Sequence, residues 1–385
     1  MYATLYDLIR DLLGLQLPFL KIVNTFGLLV AFSVAAAYQV FQAEFKRRHR
    51  LGEFPTFSLL TVVGKPFTVS DYLSSAVLGF IMGHKLLYLI LWPEAAGQDP
   101  AGFLFSSAGS PWLGLAVTSI IVGLKFREDR KQRLPKPEER MSKVGPEFFM
   151  GNITAMALIF GFLGAKLFHI FEDWTNFTND PWGSIFSTGG WTFYGGLIGG
   201  GAAVLIYCRR KGMSMLRVLD VGAPGMMISY ALGRLGCHLS GDGDWGVVNT
   251  TQAPSWMPAW LWSYDYPNNV IDAGIPIPGC DAAHCFRLEA PVFPTPLYEF
   301  IAGMLLFAVI WYARKRFSVP GLLFCLYMVL AGIERWLVET IRVNTRYEFL
   351  GMDFSQAQLI SVCLMLFGVI GGWLLFRRHR AGISA

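Results

Sequence analysis

Charge is scarce in this chain. Asp, Glu, Lys and Arg together make up 15% of its 385 residues, against about 25% in a soluble globular domain, so that class is excluded. Histidine is scarce too. None of its six histidines stands in a His-Glu-x-x-His pattern, which argues against an intramembrane metalloprotease. Six cysteines are too few for a secreted disulfide scaffold. The first 18 residues lack a basic stretch followed by a continuous apolar run, so a cleaved signal peptide is not expected. What is abundant is apolar: hydrophobic residues reach 54%, mean hydropathy is +0.44, and there are 31 Phe and 12 Trp. Such a chain is not disordered. The net charge of +5 is better read as membrane topology than as the footprint of a nucleic-acid partner, and none is expected.

Apolar runs near the length a bilayer-crossing helix needs recur along the whole chain. They fall at 19–41, 71–91, 111–126, 148–171, 190–208, 217–237, 296–313, 320–341 and 356–376. The expected fold is therefore an all-α polytopic membrane protein of about nine transmembrane helices. The stretches 42–70, 125–146, 209–217, 314–316 and the tail from 377 hold 23 of the 32 Lys and Arg. The alternate stretches hold only Arg287, Arg342 and Arg346. Basic loops stay in the cytoplasm, which puts the N-terminus outside and the C-terminus inside. Residues 1–18, with apolar positions three to four apart, read as a short helix lying in the outer interface. Residues 19–385 form the integral membrane domain, with a long Pro-rich outer loop near 247–294.

A duplication lies inside this pattern. At an offset of 81, residues 83–114 match 164–195 without gaps, with ten identities in 32 positions. The identities include Gly83/Gly164, Lys85/Lys166, Asp99/Asp180, Pro100/Pro181, Gly109/Gly190 and Gly114/Gly195. Chance likeness between apolar hairpins would give Leu and Ile instead. The hairpin near 70–127 therefore reads as an inserted repeat copy, and a structural one, because the copies diverge at their polar positions. Both run in the same sense, unlike the inverted repeats of many transporters, which disfavours a transporter.

Four basic residues fall inside expected spans, where each costs about 2.5–3.5 kcal/mol on insertion scales. Lys85 and Lys166 lie near helix ends and are expected to snorkel to the interface. Arg234 opens a glycine-rich, doubly acidic stretch running from Gly233 to Gly246 through Cys237, Ser240, Asp242 and Asp244. A plain Asp-Gly turn competes with a functional reading there, whereas the ligand spacing does not suit an EF-hand. Arg335, Glu339 and Arg342, spaced four and three apart, share one helical face. An excess of guanidinium there suits a phosphate, a buried structural ion network being the alternative. Tyr194 stands before the small-residue run Gly195-Gly196-Leu197-Ile198-Gly199-Gly200-Gly201, which reads as tight helix packing. Its phenol is either an interface anchor or a donor to a bound ligand. Cys280 and Cys285 share the outer loop with His284 between them; a local disulfide is preferred to a metal site that would lack a ligand.

These residues resemble the bacterial prolipoprotein diacylglyceryl transferase family. That family's Gly-Arg-x-Gly-Asn-Phe-x-Asn-Gly-Glu-x-x-Gly loop is similar to Gly233–Gly246, with one extra residue here. Its His-Gly-Gly-Leu-x-Gly element resembles Tyr194–Gly199, its Pro-Ser-Gln-Leu-Tyr-Glu element resembles Pro294–Glu299, and its Arg-x-x-x-Glu-x-x-Arg helix matches Arg335, Glu339 and Arg342. The likeness covers residues near 19–48 and 145–380 in conserved order. The family's seven helices equal nine less the two of the inserted copy. Here the family's histidine is Tyr194, its two signature asparagines are Cys237 and Ser240, its glutamate is Asp242 or Asp244, and its Tyr-Gly pair is Phe26-Gly27.

The resemblance implies transfer of a diacylglyceryl group from phosphatidylglycerol to the lipobox cysteine thiol of preprolipoproteins in the bacterial plasma membrane, without a cofactor or metal. It assigns catalysis to Tyr194, Arg234, Asp242, Asp244, Arg335 and Glu339. Lipid binding would fall to Arg234, Gly195, Gly196, Lys166, Tyr298, Glu299 and Arg342. Arg234 and Arg335 would hold the phosphate as it leaves, Glu339 would orient them, and Tyr194 or the Asp242/Asp244 pair would handle the thiol proton. A phospholipid-binding protein without transfer chemistry is the competing expectation on the same fold.

Overall fold

The computed structural model describes residues 1–92, 103, 106–187, 189–343, 346–349 and 352–382. The chain is mainly helical and divides into two compact units, one of Thr4–Thr25 with Phe57–Val144 and one of Met1–Ala3, Phe26–Thr56 and Gly145–Ala385.

In the smaller unit, α1 (Leu5–Leu13) starts at a reciprocal cap between Thr4 and Asp7 and stops at Gly14, whose φ of +68° is left-handed. Strand β1 (Phe57–Val63) pairs antiparallel with β2 (Glu138–Val144). Apolar periodicity gave no sign of this ribbon, because β2, Glu138-Glu139-Arg140-Met141-Ser142-Lys143-Val144, is mostly charged and exposed. Between the strands lies a helical hairpin, α3 (Val69–Leu91) and α4 (Pro111–Gln132). The middle of α3 widens into a π-helical turn over Met82–Leu87. Gly83 lets the hairpin close: a Cβ there would stand 2.2 Å from the Leu113 carbonyl oxygen.

The larger unit carries α2 (Thr25–Arg50), α5 (Met150–Glu172), the short α6 (Trp174–Asn179) and α7 (Pro181–Phe186), α8 (Phe193–Arg210) and α9 (Met215–Ser240). After a long connecting segment with the single turn α10 (Ala259–Trp262) come α11 (Thr295–Ala313), α12 (Leu322–Glu339) and α13 (Gln356–Arg380). Its core is Ala223, Met227, Ile310 and Leu323, where α9, α11 and α12 meet. Asp220, fully buried, accepts the N–H groups of Gly321 (2.9 Å) and Phe324 (3.0 Å) and so fixes the start of α12. Gly164 and Gly195 press α5 on α8: a Cβ on either would lie 2.3 or 2.4 Å from the other's carbonyl oxygen.

Nine long helical stretches thus occur among the described residues, and five of them, Thr25–Arg50, Val69–Leu91, Pro146–Glu172, Thr295–Ala313 and Gln356–Arg380, are long and apolar enough to cross a membrane. The first begins at Thr25 and not at 19, because Pro18–Ile22 takes a 3-10 turn.

The two hairpins reproduce one internal device. Lys85 donates to the carbonyls of Ser106 (2.6 Å), Ala108 (2.5 Å) and Phe103 (3.0 Å). Lys166 donates to the Ser187 carbonyl (3.0 Å), the Ser187 hydroxyl (2.7 Å) and the Gly189 carbonyl (2.9 Å). Neither lysine snorkels, and both are over 90% buried. A helix-borne ammonium has three protons, and the loop carbonyls, which no ladder satisfies, take them.

Candidate active site

The signature stretch folds as the end of α9 and the turn after it. Ser240 closes the helix by donating to the Gly236 carbonyl (2.9 Å), and Gly241 (φ +66°) and Gly243 (φ +101°) let the backbone reverse, which only glycine does without strain. The turn is then pinned. Gly246 pairs with Arg342, and a Cβ at Gly246 would meet the Ile341 carbonyl oxygen at 2.5 Å. Thr295, at the start of α11, donates its hydroxyl to the Asp244 carbonyl (2.9 Å).

This arrangement gathers charges that are far apart in the chain. Glu299 on α11 is fully buried, and its carboxylate receives Arg335 Nη1 (2.9 Å), Arg342 Nη1 (3.3 Å) and Arg234 Nε (3.3 Å). Asp244 pairs with Arg342 Nη2 (2.9 Å) and with Arg234 Nη1. Arg335 Nη2 reaches Glu339 at 3.2 Å, one helical turn on. Three guanidiniums therefore face three directly paired carboxylates. The expected excess of positive charge is corrected here: seen along one helix the face looks cationic, but α11 and the α9 turn supply anions for the partly buried arginines.

Two further groups complete the cluster. The Tyr230 hydroxyl, on α9, lies 3.2 Å from Glu299 Oε1 and 3.1 and 3.2 Å from the two oxygens of Glu334. Sequence reasoning passed over both, although Glu334 inside an apolar helix beside Arg335 was a usable signal. Tyr230 carried none, since a Tyr in a span is commonplace.

The sequence model of the prolipoprotein diacylglyceryl transferase family matches residues 112–374. The chain belongs to that family. Proteins named phosphatidylglycerol–prolipoprotein diacylglyceryl transferase are similar to it along most of their length. That of Leptospira interrogans is 28% identical over 332 residues, covering 72% of this chain and 94% of the relative. That of Gloeobacter violaceus is 28% identical over 240 residues, covering 61% and 80%. The relative in Streptococcus uberis is 27% identical over 289 residues, covering 74% and 97%.

Within this family member, the structure brings together Arg234, Asp244, Glu299, Arg335, Glu339 and Arg342 of the residues expected at the site. Asp242 lies beside them: one of its oxygens accepts the Asp244 N–H at 3.3 Å, and its carboxylate is within hydrogen-bond reach of the Cys237 thiol. Burial pushes the Asp242 carboxyl up, whereas in Asp244 the same pressure is outweighed by Arg342 and Arg234, which hold it below the usual range. Cys237, Asp242 and Asp244 present ligand atoms within 4.8 Å of one another, a spacing that can take a cation. Asp244, however, already spends its oxygens on arginine.

Other expected residues sit apart. Tyr298 donates to the Leu261 carbonyl (2.7 Å) and ties α11 to the segment that precedes it. Gly195 is taken up by packing on α5, and Gly196 stands 3.3 Å, from a notional Cβ, from the Gly161 carbonyl oxygen. Lys166 has all three ammonium protons committed to the hairpin loop, so its expected lipid contact is corrected to a structural clip. Tyr194, half-buried at the start of α8, packs edge-on to Phe193, and its hydroxyl has no hydrogen-bond partner among the described residues. Cys280 and Cys285 are joined as a disulfide, and His284 faces Asp272 at 3.1 Å.

Proposed function

We propose that this chain transfers the diacylglyceryl group of phosphatidylglycerol to the cysteine thiol of a prolipoprotein lipobox, releasing glycerol phosphate. The observation that carries the reading is the convergence of Arg234, Arg335 and Arg342 on one buried carboxylate, in a chain of this family. In the reaction a sulfur–carbon bond forms, the glyceryl carbon–oxygen bond breaks, and the departing phosphate gains a negative charge. Guanidiniums already fixed in place stabilise that charge as it develops, without reorganising. Glu339 and Glu299 orient them.

A thiol with a pKa near 8.5 needs a proton acceptor. Asp242 is the better placed carboxylate, because Asp244 is held by arginine while burial raises the affinity of Asp242 for a proton. Tyr194, with its hydroxyl unspent, serves as a donor to the lipid or as a relay.

On this reading all nine long helices cross the bacterial plasma membrane, with the N-terminus outside and the C-terminus inside. The cluster then lies at the outer face, where lipobox substrates arrive. Residues 19–385 are the transferase domain, 70–127 an inserted repeat copy, 247–294 an outer loop over the site, and 1–18 an interfacial segment.

The test is transfer of label from acyl-labelled phosphatidylglycerol to a lipobox peptide by the purified protein, beside Arg234→Ala. Label on the peptide cysteine, lost in the variant, is expected. Lipid binding without label in a folded wild type would replace the reading by a non-catalytic lipid-binding protein.

A further inference from the structure

Glu334 stands out among the carboxylates of the cluster. It is 7% exposed, yet among the described residues no arginine or lysine nitrogen lies within 4.0 Å of it. Its hydrogen-bond partner is the Tyr230 hydroxyl, which also faces Glu299. A phenol has one proton to give and lies here between two carboxylates. The three groups are satisfied together when Glu334 keeps a proton and donates it to the Tyr230 oxygen, while Tyr230 donates to Glu299.

That chain of bonds meets a need the transfer reaction creates. Arg234, Arg335 and Arg342 are paired with carboxylates before any lipid arrives. A phosphate that binds the same guanidiniums sets its own negative charge against Glu299, so the repulsion falls when the carboxylate charge moves one phenol away, to Glu334, which keeps the Tyr230 hydroxyl as its donor.

We propose that Tyr230 and Glu334 form a proton relay serving Glu299. As the phosphate takes the guanidiniums, Glu334 passes its proton to Tyr230, and Tyr230 passes its own to Glu299. No proton enters or leaves: Glu334 becomes the carboxylate, Glu299 the neutral acid, and the phenol is regenerated. Departure of glycerol phosphate reverses the hop. Tyr230 and Glu334 are thus positioning residues, acting on the lipid through Glu299 and its arginines. This role presupposes the transferase reading above.

The groups facing the relay are few. From α9 come Tyr230 and Arg234, whose guanidinium sits 5.4 Å from the Tyr230 ring centre. From α11 comes Glu299, and from α12 itself Arg335 and Tyr327. Helix α13 has no Asp, Glu, Lys or Arg before Arg377.

The experiment runs the transfer assay on wild type, Glu334→Gln, Glu334→Asp and Tyr230→Phe across pH. In parallel, infrared difference spectra are recorded on each protein as glycerol phosphate is added. Glu334→Gln keeps a donor for Tyr230 but has no proton to release. It and Tyr230→Phe are each expected to lower kcat about tenfold or more, with KM for phosphatidylglycerol little changed. They should also flatten the limb of the pH profile that reports the relay, and the double variant should be no worse than either. Glu334→Asp should recover part of the rate. In the wild type, the protonated-carboxyl band should shift when glycerol phosphate binds, and Glu334→Gln should abolish the shift. Wild-type kcat and pH profile in Glu334→Gln would overturn the relay. Should the variants fail to fold, a wild-type carboxyl band indifferent to glycerol phosphate overturns it equally. An infrared shift in a wild type that transfers no label would reject the transferase reading, and with it the relay's part in transfer.

Discussion

Arg342 Nη2 lies 2.9 Å from Asp244 Oδ1, although 98 residues separate them in the chain. The pair ties the turn after α9 to the end of α12, and the same aspartate also holds Arg234. Asp242, two residues earlier, forms no ion pair with an arginine among the described residues and accepts the Asp244 N–H instead.

The two aspartates should therefore titrate in opposite directions. Asp244 is held below the ordinary value near 3.9, so its contribution to stability is present above that pH and is lost as pH falls through its lower folded value. Asp242 is raised by burial, so its contribution is present below that pH and is lost as pH rises through its higher folded value. Isotope-edited titration of the carboxyl groups should give Asp242 the higher midpoint and Asp244 the lower. A reversed order would remove Asp242 as the thiol's proton acceptor.

Arg234→Lys should not be a conservative change. Arg234 uses separate nitrogens for Glu299 and Asp244, which a single ammonium cannot copy at both distances. Turnover in the label-transfer assay should fall about 100-fold, the scale set by loss of one charge-stabilising donor. Retention of full activity would show that Arg234 acts only as a positive charge.

Lys85→Met should destabilise without disabling. The change leaves the carbonyls of Phe103, Ser106 and Ala108 without their ammonium donor, at about 1–3 kcal/mol for a buried acceptor left unmade. Thermal unfolding in detergent should shift downward while label transfer per folded molecule stays at the wild-type level. A parallel loss of transfer would draw the first hairpin into the chemistry.

Gly164→Ala should be costly where Gly201→Ala is not. The first would place a Cβ 2.3 Å from the Gly195 carbonyl oxygen, a backbone atom that cannot swing aside, whereas nothing lies within 4 Å at the second. Overpacking of this kind costs about 1–3 kcal/mol. The comparison is read from thermal unfolding of the two variants, and equal midpoints would show that α5 and α8 can part without penalty.

Long apolar helices, their breaks and the duplicated hairpin were legible in the sequence because each rests on local information: run length, basic loops, and a repeated Gly and Lys pattern. Arg234, Arg335, Glu339 and Arg342 were legible as well, since charge in an apolar segment demands a partner. Which partner it finds was not legible. Lys166 looks like Arg234 in the sequence, but its loop folds back and uses all three of its protons, while Arg234 is left to meet Glu299 and Asp244. Tyr230 and Glu334 become a pair only when α9 and α12 pack side by side. The ribbon of β1 and β2 joins segments 75 residues or more apart and leaves no periodic trace in its charged strand. The amino-acid order by itself determined which segments leave water and which charges must be answered. Only the tertiary structure decided which charges answer one another, because ion pairing is a matter of side-chain distance across elements and sequence spacing governs that only within one helix.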